Sequence, residues 1–292
     1  MKRDPGLAPE LIFSDAFLGT PVAAIAAEIQ RCGIYTCEGA VRPEAVDRIL
    51  AEFGGLEFRI NENTLLPVAF KGQSYQNHFM ALSRTAFRLV CHERITGVCR
   101  GLLGDEFAMV GKRIYETRPD SYMMFHSDIG SHTDNPDRVD GLGFILYLSD
   151  VDDGAFEIVE DSQRQAESYT GSRANDAELI ANRSIKAFPM SKGSYVIYNG
   201  RLIHRGQPMQ GRGSARQSLH FQVNRGAKTG EPIYVNIGWL GDLGDDAKRL
   251  LGFGVPNSVP DTYPPTSPAT IVPSNRQAVD YIRQNLAHLL DD

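Results

Sequence analysis

Between Ser218 and Val223 polar and apolar residues alternate without interruption, Ser-Leu-His-Phe-Gln-Val, and Arg216 extends the polar set by one further step. A period of two belongs to an extended strand, whose successive side chains leave opposite faces. One face therefore carries Arg216, Ser218, His220 and Gln222, and the other carries Gln217, Leu219, Phe221 and Val223. On an exposed strand the polar set would meet solvent. On a strand lining an enclosed cavity the polar set turns inward and the apolar set packs against covering helices. A cation at the head of the polar face, suited to an acidic ligand, favours the enclosed arrangement.

Similar short runs recur upstream at Tyr122–His126, Phe144–Leu148, Phe156–Val159 and Tyr195–Tyr198, bounded by Gly, Asp and Asn. Short strands punctuated by turn residues indicate an antiparallel sandwich or barrel over 107–223. Residues 20–103 read instead as mainly helical support. Pro43 and Glu44 suit a first helical turn and Gly54 a stop, and Ala45, Val46, Ile49, Leu50 and Phe53 share one face. With 292 residues and 42% hydrophobic content, the expectation is one domain over 1–292, with a mainly β core and flanking helices.

The chemistry concentrates at Phe125-His126-Ser127-Asp128 and Leu202-Ile203-His204-Arg205, with Arg216 twelve residues after His204. On a strand, His126 and Asp128 at i and i+2 share a face and converge on one point. Two imidazoles and one carboxylate on one side of a six-coordinate ion form the ligand set of non-heme Fe(II) oxygenases, whereas zinc prefers a tetrahedral fourth position. A guanidinium one hairpin beyond His204 is placed to hold a carboxylate bidentately, which suits a dicarboxylate chelating the iron at its other end. An isolated HxD triplet arises often by chance; the later His and Arg lift this one above that reading. His132-Thr133-Asp134 is a second HxD, but it lies in a turn-rich segment with no apolar alternation. His132 is expected at a loop near the pocket mouth, and His78, His92 and His288, which carry no partner spacing, in structural or surface roles.

These residues resemble the Fe(II)/2-oxoglutarate-dependent oxygenases, and within them the phytanoyl-CoA dioxygenase branch. The HxD triplet, His204 and the Arg-x-Ser of Arg216 and Ser218 carry the resemblance. So does Gly154-Ala155-Phe156-Glu157-Ile158-Val159, which begins 26 residues after Asp128 and is similar to the family's Gly-Ala-Leu-x-Val-Val strand. It extends from Gly33-Ile34-Tyr35-Thr36 to Val223. One departure is Glu160-Asp161-Ser162-Gln163, where the family has Pro-Gly-Ser-His, so the substrate side of the pocket does not carry over.

The resemblance implies a double-stranded β-helix (jelly-roll, cupin-like) core, with Fe(II) held by His126, Asp128 and His204. It also implies 2-oxoglutarate on Arg216 with help from Ser218, O2 as oxidant, and succinate and CO2 as products. The enzyme class is that of EC 1.14.11 dioxygenases. Asp128 stands where related halogenases have Gly or Ala, which implies hydroxylation of an unactivated C–H, or desaturation or ring formation. Three other readings stay open: an iron oxygenase without 2-oxoglutarate, a zinc hydrolase on the same ligands, and a non-catalytic barrel binding a small carboxylate.

A formal net charge of -6, with no basic run of five or more, gives no field for nucleic acid. No segment approaches the ~20 apolar residues of a membrane span. Cys32, Cys37, Cys91 and Cys99 lack CxxC spacing and read as reduced packing residues, so a cytoplasmic small-molecule enzyme is expected, with its oligomeric state open. Gln73, Tyr75, Gln76, Asn77 and His78 are candidates for the pocket entrance, Gln76 and His78 among them as substrate contacts together with His132 and His220. Trp239 is a candidate for the far side. The polar stretch 161–184 reads as a loop and candidate lid. The Pro-rich 255–273 is irregular, and Asn275–Leu290 reads as a C-terminal helix with Ala278, Ile282, Leu286 and Leu289 on one face.

Overall fold

The computed structural model describes residues 7–52, 73–76, 79–119, 123–129, 135, 137–164, 169–211, 215–226, 230 and 233–253. The described helices are α1 (Asp15–Gly19), α2 (Val22–Cys32), α3 (Pro43–Glu52), α4 (Phe79–Leu82), α5 (Arg84–Val90), α6 (Glu93–Leu103), α7 (Arg173–Asn182) and α8 (Asp245–Leu250). The strands are β1 (Ile34–Cys37), β2 (Gln73–Gln76), β3 (Phe107–Thr117), β4 (Gly141–Tyr147), β5 (Val151–Val159), β6 (Ile185–Met190), β7 (Tyr195–Asn199), β8 (His204–Gly206) and β9 (Arg216–Arg225). Six strands pair in the order β1-β7-β4-β9-β3-β2 and three in the order β6-β5-β8. All the ladders are antiparallel. This is the jelly-roll arrangement expected, as an open sandwich with a cleft between its sheets and no closed barrel.

The alternation in β9 resolves as the enclosed arrangement. Leu219, Phe221 and Val223 lie in the main core with Ile25 and Ile29 of α2 and Ile95, Val98 and Leu102 of α6. Phe144 of β4 stacks on Phe221 with centroids 4.4 Å apart. Each such side chain removed from water contributes ~1.5–3 kcal/mol, so the helices fix the outer face of β9 and leave its polar face to the cleft. α3 forms as its pattern indicates, with Ala45, Val46 and Ile49 buried. Ser83 and His92 cap α5 and α6 by accepting from Ala86 N and Arg94 N, which gives His92 the structural role expected of it.

Three expectations change. The run ending at His126 is no strand in its described part: 123–125 are irregular, and His126 makes isolated bridges to Thr170 and His204. The described part of 161–184 is no open loop, because a 3-10 turn at Ser162–Arg164 and α7 occupy it. Asp176, the only buried residue of α7 with a described side chain, takes the amide of Phe125, which ties the segment down beside His126. Trp239 packs on Phe87 in the helical layer, 5.7 Å between rings, and not on the cleft. The four cysteines are free. No described helix is long and apolar enough to cross a membrane. The expected segments at 255–273 and 275–290, and His288, lie outside the described residues.

Candidate active site

His126, Asp128 and His204 meet in the cleft between the sheets, each with a ligating atom within 4.8 Å of the others. Asp128 Oδ1 is 3.7 Å from His126 Nε2, and Asp128 Oδ2 is 3.6 Å from His204 Nε2. Donors about 2.1 Å from one ion stand roughly 3–3.5 Å apart, so the set is close to the separation a single metal imposes. The i, i+2 convergence survives without a regular strand because backbone bonds fix it. His126 and His204 exchange N–H···O bonds of 2.9 Å in both directions, and Asp128 N donates to Gly200 O at 2.9 Å.

Each imidazole is oriented by its own chain. His126 Nδ1 lies 2.9 Å from Met124 O and His204 Nδ1 lies 2.8 Å from Leu202 O. A carbonyl only accepts, so Nδ1 carries the proton and the Nε2 lone pair faces the shared point. Burial pushes the His204 imidazole down to about 4, against the opposing pull of Asp128 and with a further push from His126. His204 is thus neutral, the form that binds a metal.

Tyr198, which sequence reasoning passed over, donates its hydroxyl to Asp128 Oδ2 at 2.7 Å. Burial first, and then the Asp128 charge, push this phenol well above its usual range, so it remains a donor. Opposite it stands Gly143, where a Cβ would come within 2.0 Å of the Tyr198 ring. A glycine is what admits the ring.

A group of buried charges lies behind His126 and His204. Arg205, next to His204, pairs with Glu157 at 2.5 Å and Asp176 at 3.5 Å, and stacks 4.2 Å over Phe125, next to His126. Ser162, in the tetrapeptide that departs from the family pattern, accepts from Ile203 N at 2.8 Å, and Gln163 is buried against the α2–β1 corner. That tetrapeptide therefore supports the His204 segment and is not among the described residues that line the cleft.

The cleft encloses about 450 Å³ and is lined from both sheets by residues that include His126, Asp128, His204, Arg216, Ser218 and His220. Arg216 is 8% exposed, donates to Gly154 O and, at 3.3 Å, to Thr117 Oγ1, and has no partner at Nε. A buried guanidinium with an unmatched N–H is stabilised by an anionic oxygen. Gly206 makes the space for it, since a Cβ there would lie 2.6 Å from Arg216 Nη2. Ser218 Oγ is 2.9 Å from His220 Nε2, and His220 stands edge-on to Tyr115 at 4.7 Å. Burial, reinforced by Arg216, His204 and Arg113, pushes His220 well below its ordinary value, leaving it neutral. The donor set and the unmatched guanidinium fit Fe(II) and a dicarboxylate.

Of the other candidates, the β2 backbone sets Gln76 opposite Ile114 at the sheet edge. His78, His132 and Asn77 lie outside the described residues. Tyr198, Thr117, Gly206 and the Arg205 cluster were missed because each acts through a partner between 29 and 99 positions away or through the absence of a side chain, neither of which leaves a local signal.

The family model described as phytanoyl-CoA dioxygenase matches residues 29–217. No protein of curated function matches the sequence. HygX from Streptomyces hygroscopicus, solved with nickel, 2-oxoglutarate and hygromycin B, is similar in fold, with TM-score 0.57 and 16% identity over 76% of this chain and 94% of that one. SnoN, a non-heme α-ketoglutarate-dependent epimerase from nogalamycin biosynthesis, has TM-score 0.52 and 18% identity over 70% of this chain and 80% of that one.

Proposed function

The chain belongs to the phytanoyl-CoA dioxygenase family of Fe(II)/2-oxoglutarate-dependent oxygenases, and from that premise we propose that it hydroxylates an unactivated C–H of a small organic molecule. His126, Asp128 and His204 would hold the iron, and Arg216 the far carboxylate of 2-oxoglutarate. The observation that carries this reading is that the three converging donors share one cleft with a buried guanidinium whose Nε is unmatched. Iron, when bound, supplies the redox chemistry that couples loss of CO2 from 2-oxoglutarate to oxidation of the substrate by O2.

The protein's own part is to orient and to exclude water. Proton-bearing Nδ1 atoms on Met124 O and Leu202 O keep both Nε2 lone pairs on the shared point. The Tyr198 hydroxyl occupies a lone pair of Asp128 Oδ2 and so favours ligation through the other oxygen. Arg216, held by Gly154 O and Thr117 Oγ1, presents its remaining edge to the co-substrate. Phe156, Tyr147 and Ile145 line the same cleft and keep its body apolar. Hydroxylation is favoured over halogenation because Asp128 fills the position a halide would need.

Asp128→Ala tests the assignment. Iron-dependent formation of succinate from 2-oxoglutarate is expected in the parent and lost in the variant. Full turnover in the variant would remove Asp128 from the ligand set, and product formation without succinate would favour an oxygenase that does not use 2-oxoglutarate.

A further inference from the structure

His220 is a cleft residue whose chemistry the metal ligands and Arg216 leave unused. On the inward face of β9 it follows Arg216 and Ser218 at every second position, and all three line the cleft. Its ring is half-buried. One nitrogen is engaged: Nε2 lies 2.9 Å from Ser218 Oγ, while the ring stands edge-on to Tyr115. Nδ1 has no partner among the described residues, and it is not sealed in the interior. Burial keeps the imidazole neutral, so one ring nitrogen carries the proton and the other is an acceptor. Which is which depends on Ser218.

Ser218 is the next inward residue after Arg216, ~6.6 Å along the strand. On the proposed reading, on which this inference rests, Arg216 holds the far carboxylate of 2-oxoglutarate and the Ser218 hydroxyl stands beside it. A carboxylate only accepts, so the Ser218 proton turns to it and Oγ offers a lone pair to His220. Nε2 then has to donate, and Nδ1 is left as an acceptor open to the cleft. His220 is four residues beyond Arg216, ~13 Å along the strand, so one small dicarboxylate held at Arg216 does not cover that nitrogen. Ile145 stands opposite His220 on β4 and lines the same cleft, which gives the space beside the imidazole an apolar wall.

We infer that His220 is a specificity-determining residue whose Nδ1 accepts a hydrogen bond from a hydroxyl on the apolar body of the substrate, and that 2-oxoglutarate bound beside Ser218 fixes the ring as that acceptor. A ligand without a donor leaves the Nδ1 lone pair unmatched and is rejected for it.

The test uses full-length protein with isotope-labelled histidine ring nitrogens, loaded with Zn(II), which is diamagnetic and supports no turnover, and saturated with 2-oxoglutarate. Nitrogen NMR, with His220 assigned by through-bond correlation, reads which ring nitrogen carries the proton and needs no variant. A proton on Nε2 and a bare Nδ1 are expected. A proton on Nδ1 in that complex would overturn the inference. Benzyl alcohol and benzyl methyl ether, added in turn as probes, then compare a donor with its blocked counterpart. The alcohol is expected to shift the Nδ1 resonance and to bind at least about fivefold more tightly than the ether, the equivalent of a single hydrogen bond. His220→Phe should reduce that ratio to within about twofold, the scatter between independent sites. Equal binding of alcohol and ether in the parent, or an alcohol preference that survives His220→Phe undiminished, would also overturn it. Failure of the parent protein to bind 2-oxoglutarate at all would count against the oxygenase reading instead.

Discussion

Gly206→Ala isolates the anchoring of the co-substrate from everything else in the site. The new Cβ would stand 2.6 Å from Arg216 Nη2, 3.0 Å from Nη1 and 3.2 Å from Cζ, so the guanidinium has to retreat by about 1 Å to reach ordinary contact. Backbone strain does not enter, because the φ of Gly206 lies outside the left-handed region. The displaced atoms are the end of a side chain, so the protein is expected to fold, with its melting temperature lowered by only a few degrees, the equivalent of about 1 kcal/mol. The retreat breaks the alignment with Gly154 O and Thr117 Oγ1 that fixes the guanidinium. A charge-assisted contact is worth ~1.5–3 kcal/mol, which corresponds to roughly a ten- to hundredfold rise in the KM for 2-oxoglutarate. Steady-state succinate formation at varied 2-oxoglutarate, with iron affinity measured in parallel, is the assay. Iron affinity is expected to stay unchanged. A KM within about twofold of the parent, less than 0.5 kcal/mol, would refute the assignment of Arg216 as the anchor; a matching loss of iron affinity would show that the substitution had disturbed the whole site.

Tyr198→Phe removes the donor on Asp128 Oδ2 and is expected to lower Mn(II) affinity by about tenfold with the fold intact, as read by a metal titration. Asp176→Ala strips a buried carboxylate from Arg205 and from the Phe125 amide. Because Arg205 keeps Glu157, the cost is that of a buried amide and a weakened ion pair, ~1–3 kcal/mol in urea unfolding, still more than an exposed helical substitution. The pH dependence follows from His204: its folded value, near 4, lies below its unfolded value near 6.5, so the unfolded chain binds more protons between them. Metal-free protein therefore loses stability as pH falls from about 6.5 to about 4, by ~3 kcal/mol from this group. Parallel unfolding curves of the parent and His204→Gln over that window should diverge, and curves of equal slope would contradict the burial of a neutral imidazole.

Much of this site was legible in the sequence because its signals are local. The period-two pattern of Ser218–Val223 fixed which side of β9 meets the helices, and the HxD spacing needs only two residues to be read. The strand expected at Tyr122–His126 fails in its described part because backbone bonds to His204, Gly200 and Tyr169 substitute for a ladder, and such long-range pairing leaves no periodic trace. α7 was missed for a different reason. Its apolar residues form no stripe, and it is held by the Ser172 cap and by one buried acid, Asp176, so a search for apolar faces passes over it. Trp239 illustrates the reverse error, since a large aromatic after a turn reads equally as a pocket wall or a core residue, and here it belongs to the helical layer with Phe87. Tyr198 and Gly143 form a pair whose meaning appears only when the strands are laid side by side.

The most direct test is a crystal grown anaerobically with Fe(II) and 2-oxoglutarate, with anomalous scattering measured at the iron absorption edge. One iron peak is predicted, bonded to His126 Nε2, His204 Nε2 and one oxygen of Asp128, with 2-oxoglutarate reaching from it to Arg216. A peak elsewhere, an iron bonded to only one of the three, or a co-substrate that leaves Arg216 untouched would contradict the account.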